Sequence, residues 1–260
     1  MMASSGSGPN KGAVVRGSWL VSSTAEAVVE PTTFQLDGQE WDLLPGVFAP
    51  THCVSTSFFT ESVPFPVGGS FLEVGSGAGV TAVTAAARGC ARVAATDISA
   101  AAVENTGRNA VRHGLSDVVE VYESDIFDGL KPDDRFDLIF WNSPFVDPGA
   151  DAGATVRPAR DELREQLRQA VFDPGYRAHQ RYFSEARGRL TEDGRLLLGF
   201  SGLGDHALLR RLATDAGYRI SVLRTSGDLV RGVEYQLLEL VPDDEVPGEA
   251  GPDEEVPDDE

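Results

Sequence analysis

Glu73, three alternate glycines at Gly75, Gly77 and Gly79, and the polar residues Asp97, Asp125 and Asn142 are the positions whose types and spacing can do chemistry. The glycines leave a turn free of side chains where backbone must approach a ligand and the helix that follows. Glu73 stands two residues before the first of them. An acid there repels a pyrophosphate and pairs with a cation, which points away from a dinucleotide and toward a positively charged adenosyl ligand. S-adenosylmethionine (SAM), with its sulfonium and ammonium groups, meets that requirement. Asp97 follows Gly75 at the interval of roughly 20 residues at which an acid after a second strand accepts hydrogen bonds from ribose hydroxyls, with Ile98 beside it. The other use open to Asp97 is as a cap on the helix that begins near Ser99. Asp125, in Glu-Ser-Asp-Ile-Phe, is placed to accept from an exocyclic adenine amine, with Ile126 against the ring.

Those residues need strands that end in one place. Residues 33–44 alternate weakly around Asp37-Gly38, a dipeptide suited to a tight hairpin. A Pro-punctuated segment follows to Pro66. Strands are then expected at 70–75, 92–97, 118–123, 136–141, 194–201, 219–225 and 234–241, and helices at 79–88, 99–113, 161–171, 176–190 and 205–216, with Ser99 as N-cap of the second. Strands alternating with helices imply an α/β fold: a Rossmann-like, doubly wound, mostly parallel seven-stranded sheet with helices on both faces, preceded by a short β-hairpin. Ligands on such sheets sit beyond the C-terminal strand ends, where Glu73, Asp97, Asp125 and Asn142 all fall.

The organisation expected is a disordered N-terminus at 1–13, an N-terminal extension with hairpin and cleft segment at 14–66, the catalytic domain at 67–242, and a disordered acidic tail at 243–260. That tail carries ten acids and no base, and it takes a large share of the formal charge of −19. The remaining 31 acids against 22 bases still make an acidic body, which repels phosphate backbones at long range and makes nucleic acid an unfavoured partner. Two cysteines and four histidines without ligand spacing imply no metal and no disulfide framework; the adjacent His52 and Cys53 read as loop packing. No apolar run reaches membrane-spanning length and no signal-peptide core is present, so the expected location is cytoplasmic.

Taken together, Glu73, the glycine turn, Asp97 and Asp125 resemble the class I SAM-dependent methyltransferases over roughly residues 33–242. The resemblance implies that the turn holds the methionyl part of SAM, Asp97 its ribose and Asp125 its adenine. Directly after the strand Phe136-Asp-Leu-Ile-Phe-Trp141 comes Asn142-Ser143-Pro144-Phe145, which resembles the Asn-Pro-Pro-Tyr/Phe motif of methyltransferases acting on planar nitrogens. In that chemistry the Asn142 side-chain oxygen and a prolyl-turn carbonyl bind the hydrogens of a nitrogen whose lone pair is delocalised, and Phe145 stacks on it. Asn142, Ser143, Pro144 and Phe145 are the catalytic set so implied, with Asn142 also facing the cofactor. No strong base is required, because the proton becomes acidic as the nitrogen gains charge. Ser143 stands where the motif has proline, and it is expected to loosen the turn.

Pro45-Gly-Val-Phe-Ala-Pro50, Ser55-Thr-Ser-Phe-Phe-Thr-Glu61, Phe172-Asp-Pro-Gly-Tyr-Arg177 and Asp228-Leu-Val-Arg231-Gly are similar to segments of the release-factor glutamine methyltransferase (HemK-like) family and its small-domain cousins. Phe48, Pro50 and Thr56 then form one wall of the substrate cleft. Only about 30 residues precede the hairpin, in place of that family's helical substrate-recognition domain. The expected activity is N-methylation of an amide, guanidino or amino nitrogen of a small molecule or peptide. The alternatives are methylation of a protein glutamine or a nucleic-acid base, and an inactive SAM-binding partner subunit with Ser143 as the lesion and the acidic tail as its docking element. The loop at 146–158 is either a lid over the substrate or a connector.

Overall fold

The computed structural model describes residues 10–149, 160–226 and 233–243. It opens on helix α1 (Lys11–Ala27), capped by Asn10, whose Oδ1 accepts from the Ala13 N–H at 3.2 Å. This helix starts inside the span expected to be disordered. Its Ser- and Gly-rich sequence has no clean apolar stripe, and tertiary packing holds it instead: Leu20 and Val21 bury with Leu167, Val171 and Phe172. Gly17 permits the approach, since a Cβ there would lie 2.8 Å from the Phe172 ring.

The expected hairpin forms between β1 (Thr32–Leu36) and β2 (Gln39–Leu43). Its two-residue turn, Asp37-Gly38, has positive φ at both positions (52° and 77°), as the right-handed strand twist demands. It pairs with no other strand. The carboxamides of Asn105 and Asn109 dock it instead, each accepting a backbone N–H of the β2 end at 2.7 Å, from Leu44 and Asp42 respectively.

The main sheet holds seven strands in the order β5-β4-β3-β6-β7-β9-β8. They are β3 (Ser70–Val74), β4 (Arg92–Asp97), β5 (Val119–Glu123), β6 (Phe136–Asn142), β7 (Leu190–Ser201), β8 (Tyr218–Thr225) and β9 (Tyr235–Pro242). Strands β3 to β7 are mutually parallel, and β9 inserts antiparallel between β7 and β8. Helices α3 (Val80–Ala87), α4 (Ala100–Arg112), α6 (Arg177–Ala186) and α7 (His206–Asp215) follow the sequence pattern closely. Apolar clusters lie on both faces of the sheet, one under α3 and α4 and the other under α6 and α7. The sheet order reverses between β3 and β6, the crevice where doubly wound sheets bind ligands.

Two more helices complete the cleft side. Helix α2 (Ser55–Ser62), after a 3-10 turn at Pro50–His52, occupies the Pro-punctuated segment where the sequence pattern indicates no helix. Helix α5 (Arg160–Gln169) lies against α1. Most of the 146–158 loop, the final turn at 227–232 and the acidic tail beyond Asp243 lie outside the described residues.

Candidate active site

The ends of β3, β4 and β6 open onto one cavity of about 310 Å³. Its walls carry Glu73, Gly75, Gly77, Asp97, Ile98, Asp125, Ile126 and the whole 142–145 turn, together with Phe48, Pro50 and Thr56 from the opposite side. Residues separated by nearly a hundred positions in the chain thus meet in the crevice.

Glu73 closes the floor. It is buried to 3% exposure, and its Oε2 accepts the Ala82 N–H at 2.8 Å, which ties the end of β3 to the first turn of α3. Burial pushes this carboxyl up to about 8. A cation bound in the cavity would offset that cost of burial by favouring the carboxylate.

Both carboxylate oxygens of Asp97 accept backbone N–H groups. Oδ1 accepts the Ser99 N–H at 2.9 Å, fixing the turn that leads into α4, and Oδ2 accepts the Gly77 N–H at 2.9 Å, bracing the glycine turn. Burial raises its carboxyl above the usual range despite these bonds. Ser99 occupies the N-cap position without a side-chain capping bond, and its hydroxyl has no partner among the described residues. Asp97 bonds the N–H of Ser99 itself, and the first turn of α4 has no side-chain cap.

The three glycines divide their work. Gly75 (φ 65°) lies under the Trp141 indole, 2.9 Å from Nε1 to the position of a Cβ. Gly77 (φ 55°) has open space where its Cβ would be, on the cavity wall. Gly79 (φ 78°) does not line the cavity: a Cβ there would strike Thr106 of α4 at 2.8 Å. Its lack of a side chain lets the glycine turn pack closely against α4.

Asp125 stands at the rim, half exposed, with Oδ2 held by Arg181 Nη1 at 2.7 Å. An adenine amine would share this carboxylate with Arg181. Ile126 takes a positive φ of 55°, and its carbonyl accepts from the hydroxyls of Thr96 at 3.1 Å and Ser124 at 3.2 Å. That bonding holds the left-handed residue in place.

Asn142 ends β6 opposite Gly199 of β7, and among the described residues its carboxamide has no bonding partner. Ser143 does not loosen the turn. Its N–H and Oγ–H both reach the Gly199 carbonyl, at 3.2 and 2.9 Å, and its Oγ lies 2.9 Å from His179 Nε2. The next residue that bears on the turn is Tyr176, whose hydroxyl donates to the Phe145 carbonyl at 2.9 Å and accepts the Asp205 N–H at 2.7 Å. Sequence reasoning found neither His179 nor Tyr176 as a site residue. The only local signal was Asp173-Pro-Gly, a cap-and-turn pattern before α6, and it does not reveal contacts made more than 30 residues away.

His52 and Cys53 form no metal site: His52 Nδ1 bonds Thr24 Oγ1 at 2.9 Å and Cys53 Sγ lies 2.9 Å from Ser55 Oγ. No metal-binding cluster occurs among the described residues, and none of the described helices is long and apolar enough to cross a membrane.

Residues 41–170 match the model of the methyltransferase small domain. A release factor glutamine methyltransferase of Bordetella pertussis is 31% identical over 214 residues, covering 77% of this chain and 75% of that protein. A ribosomal protein uL3 glutamine methyltransferase of Bradyrhizobium diazoefficiens is 37% identical over 130 residues, 48% of this chain and 39% of that protein. Among solved structures, a 16S rRNA N2 methyltransferase from T. thermophilus, in complex with AdoMet and guanosine, superposes with a TM-score of 0.54 at 21% identity. That alignment covers 82% of this chain and 50% of the other.

Proposed function

The chain belongs to the methyltransferase small-domain family, and we propose that it transfers the methyl group of S-adenosylmethionine to the planar nitrogen of a carboxamide, a glutamine side chain in a protein or peptide. The observation that carries this reading is Asn142: an unpartnered carboxamide at the end of β6, in the same cavity as the buried acid Glu73 and the Gly75–Gly77 turn. The two sequence relatives named above are glutamine methyltransferases, and they support this acceptor over the small molecule expected from composition. An acidic body disfavours nucleic acid and does not disfavour a peptide.

Within the cleft, Glu73 faces the positive charge of the methionyl portion, Asp97 the ribose hydroxyls, and Asp125 and Ile126 the adenine. SAM supplies an activated methyl group when bound. Asn142 Oδ1 and the backbone of the Ser143-Pro144 turn accept the hydrogens of the acceptor amide, orienting its nitrogen and favouring the charge that develops there. Phe145 supplies the flat apolar surface against the amide, and its carbonyl, tied to Tyr176, fixes the ring's backbone. Phe48 and Pro50 cover the opposite wall and exclude water.

The test is transfer of labelled methyl from SAM to glutamine-containing peptides from translation factors and ribosomal proteins, set against the same peptides with glutamic acid at that position and against a panel of small amides, guanidines and amines. Label in the glutamine peptides alone supports the reading. Label in the small amines, with none in the peptides, overturns it.

A further inference from the structure

Residues 172–179, which contribute nothing to the strand-end motifs, grip the catalytic turn from behind. Val146 forms a bridge with Phe172, Tyr176 holds the Phe145 carbonyl, and His179 meets Ser143. The last contact belongs to a connected line of groups: Asp173 Oδ2 lies 2.7 Å from His179 Nδ1, and His179 Nε2 lies 2.9 Å from Ser143 Oγ. His179 is wholly buried, and Asp173 and Ser143 are 4% and 3% exposed. Ser143 and Asp173 both belong to the cavity wall.

We propose that Ser143, His179 and Asp173 form a proton-accepting chain that takes up the proton shed by the acceptor on methylation, an assignment that rests on the planar-nitrogen reading above. The hydrogen-bond accounting leads to it. Asp173 also accepts the backbone N–H groups of Ala178 at 3.2 Å and His179 at 3.1 Å, so its carboxylate is surrounded by donors and the imidazole presents Nδ1–H to it. In the neutral ring, the Nε2 lone pair is then turned toward Ser143. The Ser143 hydroxyl has one proton and two acceptors at 2.9 Å, the Gly199 carbonyl and Nε2, and a rotation about one bond moves that proton from the first to the second.

The step balances as follows. The acceptor nitrogen takes the methyl from the sulfonium: the N–CH3 bond forms, the S–CH3 bond breaks, and its electron pair stays on sulfur. The nitrogen's proton passes to Ser143 Oγ as Ser143's own proton passes to Nε2. What results is the methylated amide, the thioether product and an imidazolium resting on the Asp173 carboxylate. A proline at position 143 would have no hydroxyl and no such route.

The ring is enclosed by Trp141 (4.8 Å between centroids), Tyr176 (4.7 Å), Phe183 (6.2 Å) and Phe200 (5.8 Å). The titratable groups facing it are Asp173 and Tyr176. Burial holds the Tyr176 phenol protonated, with Asp147 and Asp205 beyond it, and His206 sits against the same Phe200 ring. The charge that can pair with an imidazolium here is that of Asp173.

Nitrogen-15 NMR of the full chain labelled at histidine tests the chain directly, with His179 assigned through His179→Gln, or through the response to Ser143→Ala if the first variant does not fold. The expected spectrum at pH 8 shows His179 as a neutral ring with a proton on Nδ1 and none on Nε2, and Ser143→Ala moves the Nε2 resonance. A proton on Nε2, in the neutral ring or as an imidazolium, overturns the proposal, because such a ring cannot receive one. This measurement needs no acceptor, so it fails separately from the planar-nitrogen reading. With an acceptor in hand, His179→Gln and Ser143→Ala should each slow methyl transfer by on the order of a hundredfold and remove the same limb of the pH profile. SAM affinity should stay unchanged and the double variant should be no slower than either single one. Additive losses with an unaltered pH profile would show a merely structural contact.

Discussion

Binding of SAM at pH 7 should expel most of one proton from the protein, and Glu73 is its source. Its carboxyl is pushed up to about 8 by burial, so at pH 7 roughly nine in ten ligand-free molecules hold the proton there. A sulfonium or ammonium alongside favours the carboxylate, and its full ionisation releases about 0.9 proton per site. The ligand's own amino group, titrating near 8, takes back about a tenth. Between pH 6 and pH 8 the protonated share of Glu73 falls from about 99% to about half, so affinity should rise by up to roughly fiftyfold, less about twofold as the ligand amine begins to deprotonate. Titration calorimetry in two buffers of different ionisation enthalpy measures the release. Glu73→Gln, whose amide oxygen still accepts the Ala82 N–H, should remove most of it. A wild-type enthalpy independent of buffer, or equal release from the variant, would refute Glu73 as counter-charge to a cationic ligand.

The same shift sets a stability expectation. The native Glu73 carboxyl lies above its ordinary value of 4.5, so between that value and about 8 the native state keeps a proton the unfolded chain has lost, and stability falls as pH rises through that window. Glu73→Gln should therefore raise the melting temperature of the ligand-free protein at pH 8 and leave it nearly unchanged at pH 4. Asn142→Ala should lower turnover roughly a hundredfold while SAM affinity, read by calorimetry, changes far less. Asp97→Ala removes both a brace on the Gly77 N–H and a ribose partner, and it should weaken SAM binding by on the order of 2 kcal/mol. Asn109→Ala strips buried bonds to Asp42 and Ala78 and should cost about 2 kcal/mol in urea unfolding, since it frees the hairpin.

The strand-end residues were legible because their positions follow from local rules. Glu73, Asp97 and Asn142 lie at the ends of apolar strand runs and Asp125 just beyond β5, and a doubly wound sheet brings such ends together whatever the loops do. The glycine turn was legible as a turn, but not in its division of labour. Gly79 shares the spacing of Gly75 and Gly77, and only the position of Thr106 on α4 shows that it faces a helix. Helices α1 and α2 escaped because their apolar content is low and their stability comes from partners distant in sequence, Phe172 and Val171 for the first and Thr81 of α3, bonded to Thr60, for the second.

Ser143 shows why the remainder was not legible. Set against a proline motif, a serine in that position looks like a loss: a looser turn, or the lesion of an inactive subunit. Its tertiary contacts reverse the reading, because its N–H bonds the Gly199 carbonyl and holds the turn on β7, while its hydroxyl lies 2.9 Å from both that carbonyl and a buried imidazole nitrogen. That imidazole is 36 residues away, on a helix whose amphipathic pattern alone would assign it to the core. A buried histidine is ordinarily a packing residue, and what separates this one from that role is the pair of partners at its two nitrogens, an ionisable acid on one side and a cleft hydroxyl on the other. Polar groups buried in this way cost stability unless every donor and acceptor is satisfied. Here Asp173, His179, Ser143 and Gly199 satisfy one another, so the turn is rigid in the absence of any ligand and Asn142 is presented to the cavity from a fixed backbone.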